Sequence, residues 1–197
     1  MSEYKVNVAG SEDEGAVTGA LTLAFSGDPM ARWAWEDPQA YLRAFPRFVQ
    51  KFGGRAIQLG TAHYAEGFSG VALWYPPGEG PDEDALVAVI EETTSEARQQ
   101  DLFAILEQMG NFHPKEPHWY LPLIGVDPRF QSRGVGSILM KHALAICDRE
   151  GVAAYLESSS PRNIPFYERH GFDILGEIQH GDSPVMAPML RKPRKGG

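Results

Sequence analysis

Gln131-Ser132-Arg133-Gly134-Val135-Gly136-Ser137 is the stretch on which the reading of this chain turns. It follows an apolar run, His118 to Val126, that ends at Asp127-Pro128. It opens a helical stretch, Val135 to Glu150, in which Val135, Ile138, Leu139, His142 and Ile146 recur on one face. A strand that delivers a glycine-bearing loop to a helix start suits an anion. Glycine lets the main chain come close, and the first-turn N–H groups have no internal partners and sit at the positive end of the helix dipole. Arg133 adds a cation for a phosphate oxygen. A plain strand-to-helix turn uses the same residues, so the loop alone leaves both readings open. It does exclude two nucleotide motifs: Leu139 stands where GxGxxG needs its third glycine, and no Gly-Lys-Ser/Thr is present for the phosphate loop of nucleotide hydrolases.

Downstream, the pattern continues as a strand (Val152 to Glu157), a helix (Asn163 to His170) and a strand (Phe172 to Ile178), which predicts a mixed α/β sheet. Upstream, a short strand over Lys5 to Val8 leads to Ser11 and Glu14, which have the spacing of a capping box before a helix with Val17, Ala20, Leu21 and Ala24 on one face. Gly27-Asp28-Pro29 ends it. A second helix is predicted over Ala40 to Phe52, kinked or interrupted by Pro46, followed by strands over Ala56 to Tyr64 and Gly70 to Tyr75 joined at Glu66-Gly67. From Asp82 the helical phase of Leu86, Val89 and Ile90 fails near Gln99 and restarts at Leu102, so either two helices or one distorted helix follows.

The 197 residues suit one domain, with an N-terminal half of about 1–112 left to bind an acceptor and a second half of about 113–190 organised around the loop. A net charge of -8 argues against nucleic acid, and the one basic run, Arg191 to Lys195, reads as a solvated end. Cys147 is the single cysteine, so neither an internal disulfide nor a cysteine-based zinc site is available. No metal spacing is trusted among His63, His113 and Glu116. No run approaches the ~20 apolar residues of a membrane span, and the polar, acidic start is unlike a secretory signal, so the expected location is the cytoplasm. The oligomeric state stays open, a homodimer included.

With Gln131, Gly134 and Gly136 after Val126-Asp127-Pro128, and Asn163, Phe166-Tyr167 and Gly171-Phe172 some thirty residues on, the chain resembles the GNAT superfamily of N-acetyltransferases. Pro114 to Pro117, Leu156-Glu157-Ser158 and Pro161 to Arg169 are similar, within it, to puromycin N-acetyltransferases, a likeness confined to about residues 113–173. The resemblance implies a mixed, mostly antiparallel central sheet flanked by helices, with two parallel strands splayed at the site of acetyl-CoA, the co-substrate. It implies that main-chain groups near Ile124, Gly125 and Val126 meet the pantetheine arm, that Gln131, Ser132, Arg133, Gly134, Val135, Gly136 and Ser137 hold the pyrophosphate, and that Asn163 belongs to the same site.

A glycine inside a strand often marks a bulge, and the resemblance implies that a bulge at Gly125 splays the two parallel strands, in preference to simple packing; a backbone N–H near Gly125 is read as the oxyanion donor. Tyr167 matches the position of a general acid for the departing thiol, and its phenol normally stays protonated at neutral pH; the alternative is that Phe166 and Tyr167 simply pack their helix onto the sheet. Glu157, at the end of its strand, is either the base for the amine or an exposed strand-end carboxylate. Asn163 before Pro165 has a competing role as a helix cap. His118 and Tyr120 alternate and share a strand face, directed toward the acceptor or simply structural. The acceptor expected is a small primary amine in an aromatic pocket drawn from Phe25, Trp33, Trp35, Tyr41, Phe45, Trp74 and Tyr75, although core packing uses such residues too. The alternatives are a peptide or protein N-acetyltransferase and a non-enzymatic acyl-CoA sensor.

Overall fold

The computed structural model describes residues 4–194. Its elements are β1 (Val6–Val8), α1 (Glu14–Ala24), α2 (Pro29–Ala34), α3 (Pro38–Phe52), α4 (Arg55–Gln58), β2 (Ala62–Ala65), β3 (Gly70–Tyr75), α5 (Glu83–Thr93), α6 (Glu96–Phe112), β4 (His118–Val126), α7 (Val135–Glu150), β5 (Ala153–Ser158), α8 (Ile164–Glu168), β6 (Asp173–Ile174) and β7 (Ala187–Arg191). The strands form one sheet in the order β1-β2-β3-β4-β5-β7-β6, antiparallel throughout except where β4 runs parallel to β5. Helices cover both faces. Val71, Leu73 and Tyr75 of β3 join a core with α1, α2, α3, α5 and α6, while Ala72 and Trp74 face the core built on α7, an alternation set by the pleat. No described helix is long and apolar enough to cross a membrane.

The parallel pairing of β4 and β5 is short. It runs from His118 opposite Ala153 to Tyr120 opposite Tyr155 and goes no further, although both strands continue. The cause lies at Leu121-Pro122. Leu73 pairs with Leu123 and Tyr75 with Tyr120, so Trp74 faces two residues of β4, a bulge. The side chains record it: Leu121 packs on the α7 side and Leu123 on the other, although two residues apart on a regular strand they would share a face. Proline, with no N–H to give, suits such a site. The bulge is therefore at Leu121-Pro122 and not at Gly125, which pairs regularly with Val71. Packing accounts for Gly125: a Cβ there would stand 2.6 Å from Ala24 Cβ and 3.1 Å from a methyl of Leu21, both on α1.

Other expectations shift as well. Gly10 N–H donates to Asp13, one residue before the expected Ser11/Glu14 box, and a 3-10 turn over Ser11–Asp13 precedes α1. α3 runs through Pro46 without interruption; the carbonyl deprived of its partner belongs to Leu42, which is 54% exposed and open to water. Residues 56–58, expected as strand, are helical. There Arg55 is tied to the Gly80 carbonyl and the Glu79 carboxylate, and the main chain turns back on Gly53 and Gly54, so tertiary contacts override the strand preference of Ile57. The helical break falls at Thr94-Ser95, where Ser95 caps α6, ahead of Gln99. Arg191 begins no frayed tail: it is the last residue of β7, 3% exposed and bonded through both terminal nitrogens to Asp148, whereas Lys195 lies outside the described residues.

Candidate active site

Two cavities meet where β4 leaves β5. The outer one, a cleft of about 540 Å³, is lined by the end of α1, the segment Ser26 to Pro29, β4, the loop before α7, and Ser160 to Arg169. That size accommodates an elongated ligand. Ile124, Gly125, Val126, Gln131, Ser132, Gly134, Val135, Gly136, Ser137, Asn163 and Tyr167 all line it. Arg133 does not; its guanidinium sits over the Phe130 ring, 5.7 Å from the centroid. The cations of this cleft are Arg162 and Arg169, which the sequence reading passed over as parts of a motif.

Gly134 takes a left-handed conformation, φ 88°, and a Cβ there would meet nothing within 4 Å. Such a backbone disfavours a side chain and leaves open space over the loop. No side chain caps α7, so the first-turn amides of Val135, Gly136 and Ser137 are available to an anion. Gln131 is used differently, its amide donating to the Val126 carbonyl and fastening the loop to the strand.

The ladder fixes which strand groups face the opening. Asp127 N–H bonds to the Ser69 carbonyl, and antiparallel alternation then directs Gly125 toward β3 and turns Ile124 and Val126 toward the side β5 has vacated. The amide of Gly125 is thereby committed to the sheet. The N–H groups of Ile124 and Val126, on either side of Gly125, are the strand donors facing the opening.

The inner cavity is an apolar chamber. Phe25, Trp35 and Phe45 line it, as expected, together with Phe48, Phe52, Ile90, Leu102, Ile105 and Met109. Trp33, Tyr41, Trp74 and Tyr75 are core residues instead. Two carboxylates interrupt these walls. Glu157 is no exposed strand-end group: its side chain is 3% exposed, and Oε1 completes no aligned hydrogen bond. The second carboxylate is Asp28, whose place in Gly27-Asp28-Pro29 marks it in sequence only as a helix stop. It accepts hydrogen bonds from the amides of Met30 and Ala31 and from Ser159 Oγ, and burial raises its carboxyl above the ordinary carboxylate range against the pull of those bonds. The Asp-Pro step, a helix cap followed by proline at the first position, was the signal that could have marked it.

Phe25, Asp28, Ile124, Asn163 and Tyr167 line both cavities and so mark their junction. Tyr167 is 6% exposed; burial first, and the charge of Asp28 second, push its phenol well up, so it stays protonated throughout the neutral range. Asn163 makes no side-chain cap on α8, which leaves its amide free for the cavities. His118 and Tyr120 stay on the sheet behind Glu157 and do not line the chamber.

Comparison with known proteins agrees with this architecture. Residues 69–172, more than half of the chain, match the Acetyltransferase (GNAT) family. An uncharacterized N-acetyltransferase of Schizosaccharomyces pombe is 31% identical over 117 residues, 53% of this chain and 47% of that one; the chain spans about half the length of the curated relatives it matches. A solved Corynebacterium glutamicum structure, described as a histone acetyltransferase and related acetyltransferase, superposes with a TM-score of 0.69 at 28% identity over 98% of both chains. Arylalkylamine N-acetyltransferase 2 from Aedes aegypti shares the fold, with a TM-score of 0.69 at 13% identity over 98% of this chain and 100% of that one. These matches carry the superfamily and not the narrower likeness to puromycin N-acetyltransferases. On the matched span and the fold together, the chain belongs to the GNAT family of acetyltransferases.

Proposed function

We propose that this chain transfers an acetyl group from acetyl-CoA to a small primary amine with an apolar body, by direct attack of the amine while both substrates are bound. The observation that carries the reading is the junction itself: an anion-suited cleft and an apolar chamber holding two carboxylates meet at Tyr167. The cleft fits acetyl-CoA. First-turn amides of Val135 to Ser137, with Arg162 and Arg169 nearby, suit its phosphates, and the N–H groups of Ile124 and Val126, turned away from β3, suit the carbonyls of its arm. When bound, it supplies the activated acetyl thioester.

The chamber selects the other partner. A carboxylate within apolar walls is stabilised by a cation, and an ammonium group attached to an aromatic or aliphatic body satisfies carboxylate and wall together. Glu157 is suited to take the ammonium proton, which frees the nitrogen lone pair. Tyr167 is suited to give a proton to the departing sulfur, and the N–H groups facing the opening stabilise charge developing on the carbonyl oxygen. Cys147 is buried on the inward face of α7 with its thiol pushed up to about 12 by burial, and it lines neither cavity, so no cysteine is at hand as an intermediate acetyl carrier. The acceptor of the Aedes aegypti protein, by its name an arylalkylamine, is of the class these walls suit.

Thiol release from acetyl-CoA, measured across primary amines of graded size and apolarity and across peptides with free amino groups, tests the reading. Release that needs a small apolar primary amine is expected. Release only with peptides, or tight acetyl-CoA binding without release under any condition, contradicts it.

A further inference from the structure

Two histidines that this chemistry leaves unused connect Glu157 to water. Oε1 of Glu157 lies 3.3 Å from Nε2 of His113. Nδ1 of His113 lies 3.3 Å from Nε2 of His118, and Nδ1 of His118 lies 2.9 Å from the Glu116 carbonyl. Exposure rises outward, from 3% at the Glu157 side chain to 30% at His113, and the contact of His118 with Glu116 is at the surface. The rings of Tyr120 and Tyr155 pack against His113 with centroids 4.6 and 4.5 Å away, which holds the imidazole in line. His113 also caps the C-terminal end of α6, where the helix presents its partial negative charge.

The Glu116 carbonyl only accepts, so Nδ1 of His118 carries the hydrogen of that contact. Nε2 of His118 then accepts from Nδ1–H of His113, and Nε2 of His113 is left facing a carboxylate. Two neutral imidazoles supply two hydrogens for three contacts. The third closes as a hydrogen bond only when the row holds one further proton, and opens when that proton leaves.

We propose that His113 and His118 are the proton exit of this active site, carrying to solvent the proton that Glu157 takes from the acceptor ammonium. The proposal rests on Glu157 acting as the base. Acetylation of an ammonium removes two of its three N–H hydrogens: one ends on the free thiol and the other must leave, so each turnover releases one proton. As the N–H bond breaks, an O–H bond forms on Glu157. That O–H breaks as Nε2–H of His113 forms, Nδ1–H of His113 passes to Nε2 of His118, and His118 gives a proton to water, returning Glu157 to its carboxylate. The other titratable groups facing the row are Tyr120 of β4, Tyr155 of β5 and Glu116 of the preceding loop, with Tyr75 of β3 stacked behind Tyr120. Burial, and then the charge of Glu157, raises both Tyr120 and Tyr155, and burial raises Tyr75 to about 12, so the three phenols keep their protons. Burial holds His118 below the ordinary imidazole value, which favours release.

The test uses the whole enzyme with acetyl-CoA and phenethylamine. His113→Asn is expected to lower kcat by about 10-fold or more with KM for acetyl-CoA unchanged. His118→Gln should cause a smaller loss, and added imidazole should restore both in proportion to its concentration. Unchanged kcat and pH profile in His113→Asn, or a loss that imidazole does not recover, overturns the exit. A second readout needs no acceptor: NMR titration of the two imidazoles should show coupled curves that Glu157→Gln alters, and curves indifferent to that substitution overturn the proposal. Full kcat in Glu157→Gln would instead remove the base, and a wild-type enzyme inert to every amine would remove the proposed reaction. Those failures are distinct from a broken exit.

Discussion

Asp28 accepts a hydrogen bond from Ser159 at 2.6 Å, joining residues 131 apart in sequence and closing the junction of the two cavities from both halves of the chain. The same carboxylate caps the six residues of α2. Asp28→Ala should therefore cost roughly 1–2 kcal/mol, the scale of a lost cap. For a chain of this size that lowers Tm by about 2–4 °C per kcal/mol in a melting experiment. Asp28→Asn, which still accepts from the Met30 and Ala31 amides, should lose less. Equal Tm values for the wild type and the alanine variant would show that the bridge is incidental.

Tyr167→Phe removes a phenol that burial keeps protonated. Turnover should fall about 10²–10⁴-fold with little change in the Kd for acetyl-CoA. Near-normal kcat would refute the acid role.

Gly134→Val places a branched side chain on a backbone with φ 88° and fills the space over the loop. Left-handed strain costs on the order of 1–2 kcal/mol, so a modest loss in Tm is expected. Calorimetry should register a far larger effect, loss of acetyl-CoA binding. An unchanged Kd would contradict the phosphate assignment.

His63 supplies a prediction on stability. It is 3% exposed between β2 and α7, and burial first, then His142, lowers its imidazole to about 4 from an ordinary 6.5. The unfolded chain binds this proton more readily than the fold between those values, so stability gained from the neutral ring is complete above about 6.5 and drains away as pH falls toward 4. The loss is of the order of 1–3 kcal/mol. Denaturant melts at intervals across this window should trace it, and His63→Leu should flatten the curve. An acid limb equally steep in the variant would place the sensitivity elsewhere.

Much of the second half was legible where local signals agree with the tertiary structure, although the strand expected over Phe172 to Ile178 is reduced to Asp173–Ile174 and an isolated bridge at Ile178. α7 starts and ends where the glycines at 134 and 151 stand, and apolar β4 was readable from its composition. β7 was missed because Pro188 argues against a strand, yet that residue pairs with Glu157 inside the sheet. Glycine is a usual marker of a bulge, and the family resemblance implies one at Gly125. Pro122, which breaks the ladder more severely, did the work, and the demand on Gly125 came from α1, more than a hundred residues earlier. Asp28, Arg162 and Arg169 escaped notice for a related reason: each looks like ordinary capping or surface charge until the fold brings it to the cleft. The aromatic residues had the same ambiguity, since spacing alone does not separate a chamber wall from a core.

Direct transfer between two substrates that meet at Tyr167 is tested most directly by rapid mixing of the enzyme with acetyl-labelled acetyl-CoA, with and without phenethylamine, followed by separation of protein from small molecules. The account predicts that label moves to the amine in a single turnover and that the protein never carries it. Label retained on the protein without amine, or an amine that stays unlabelled, would contradict it.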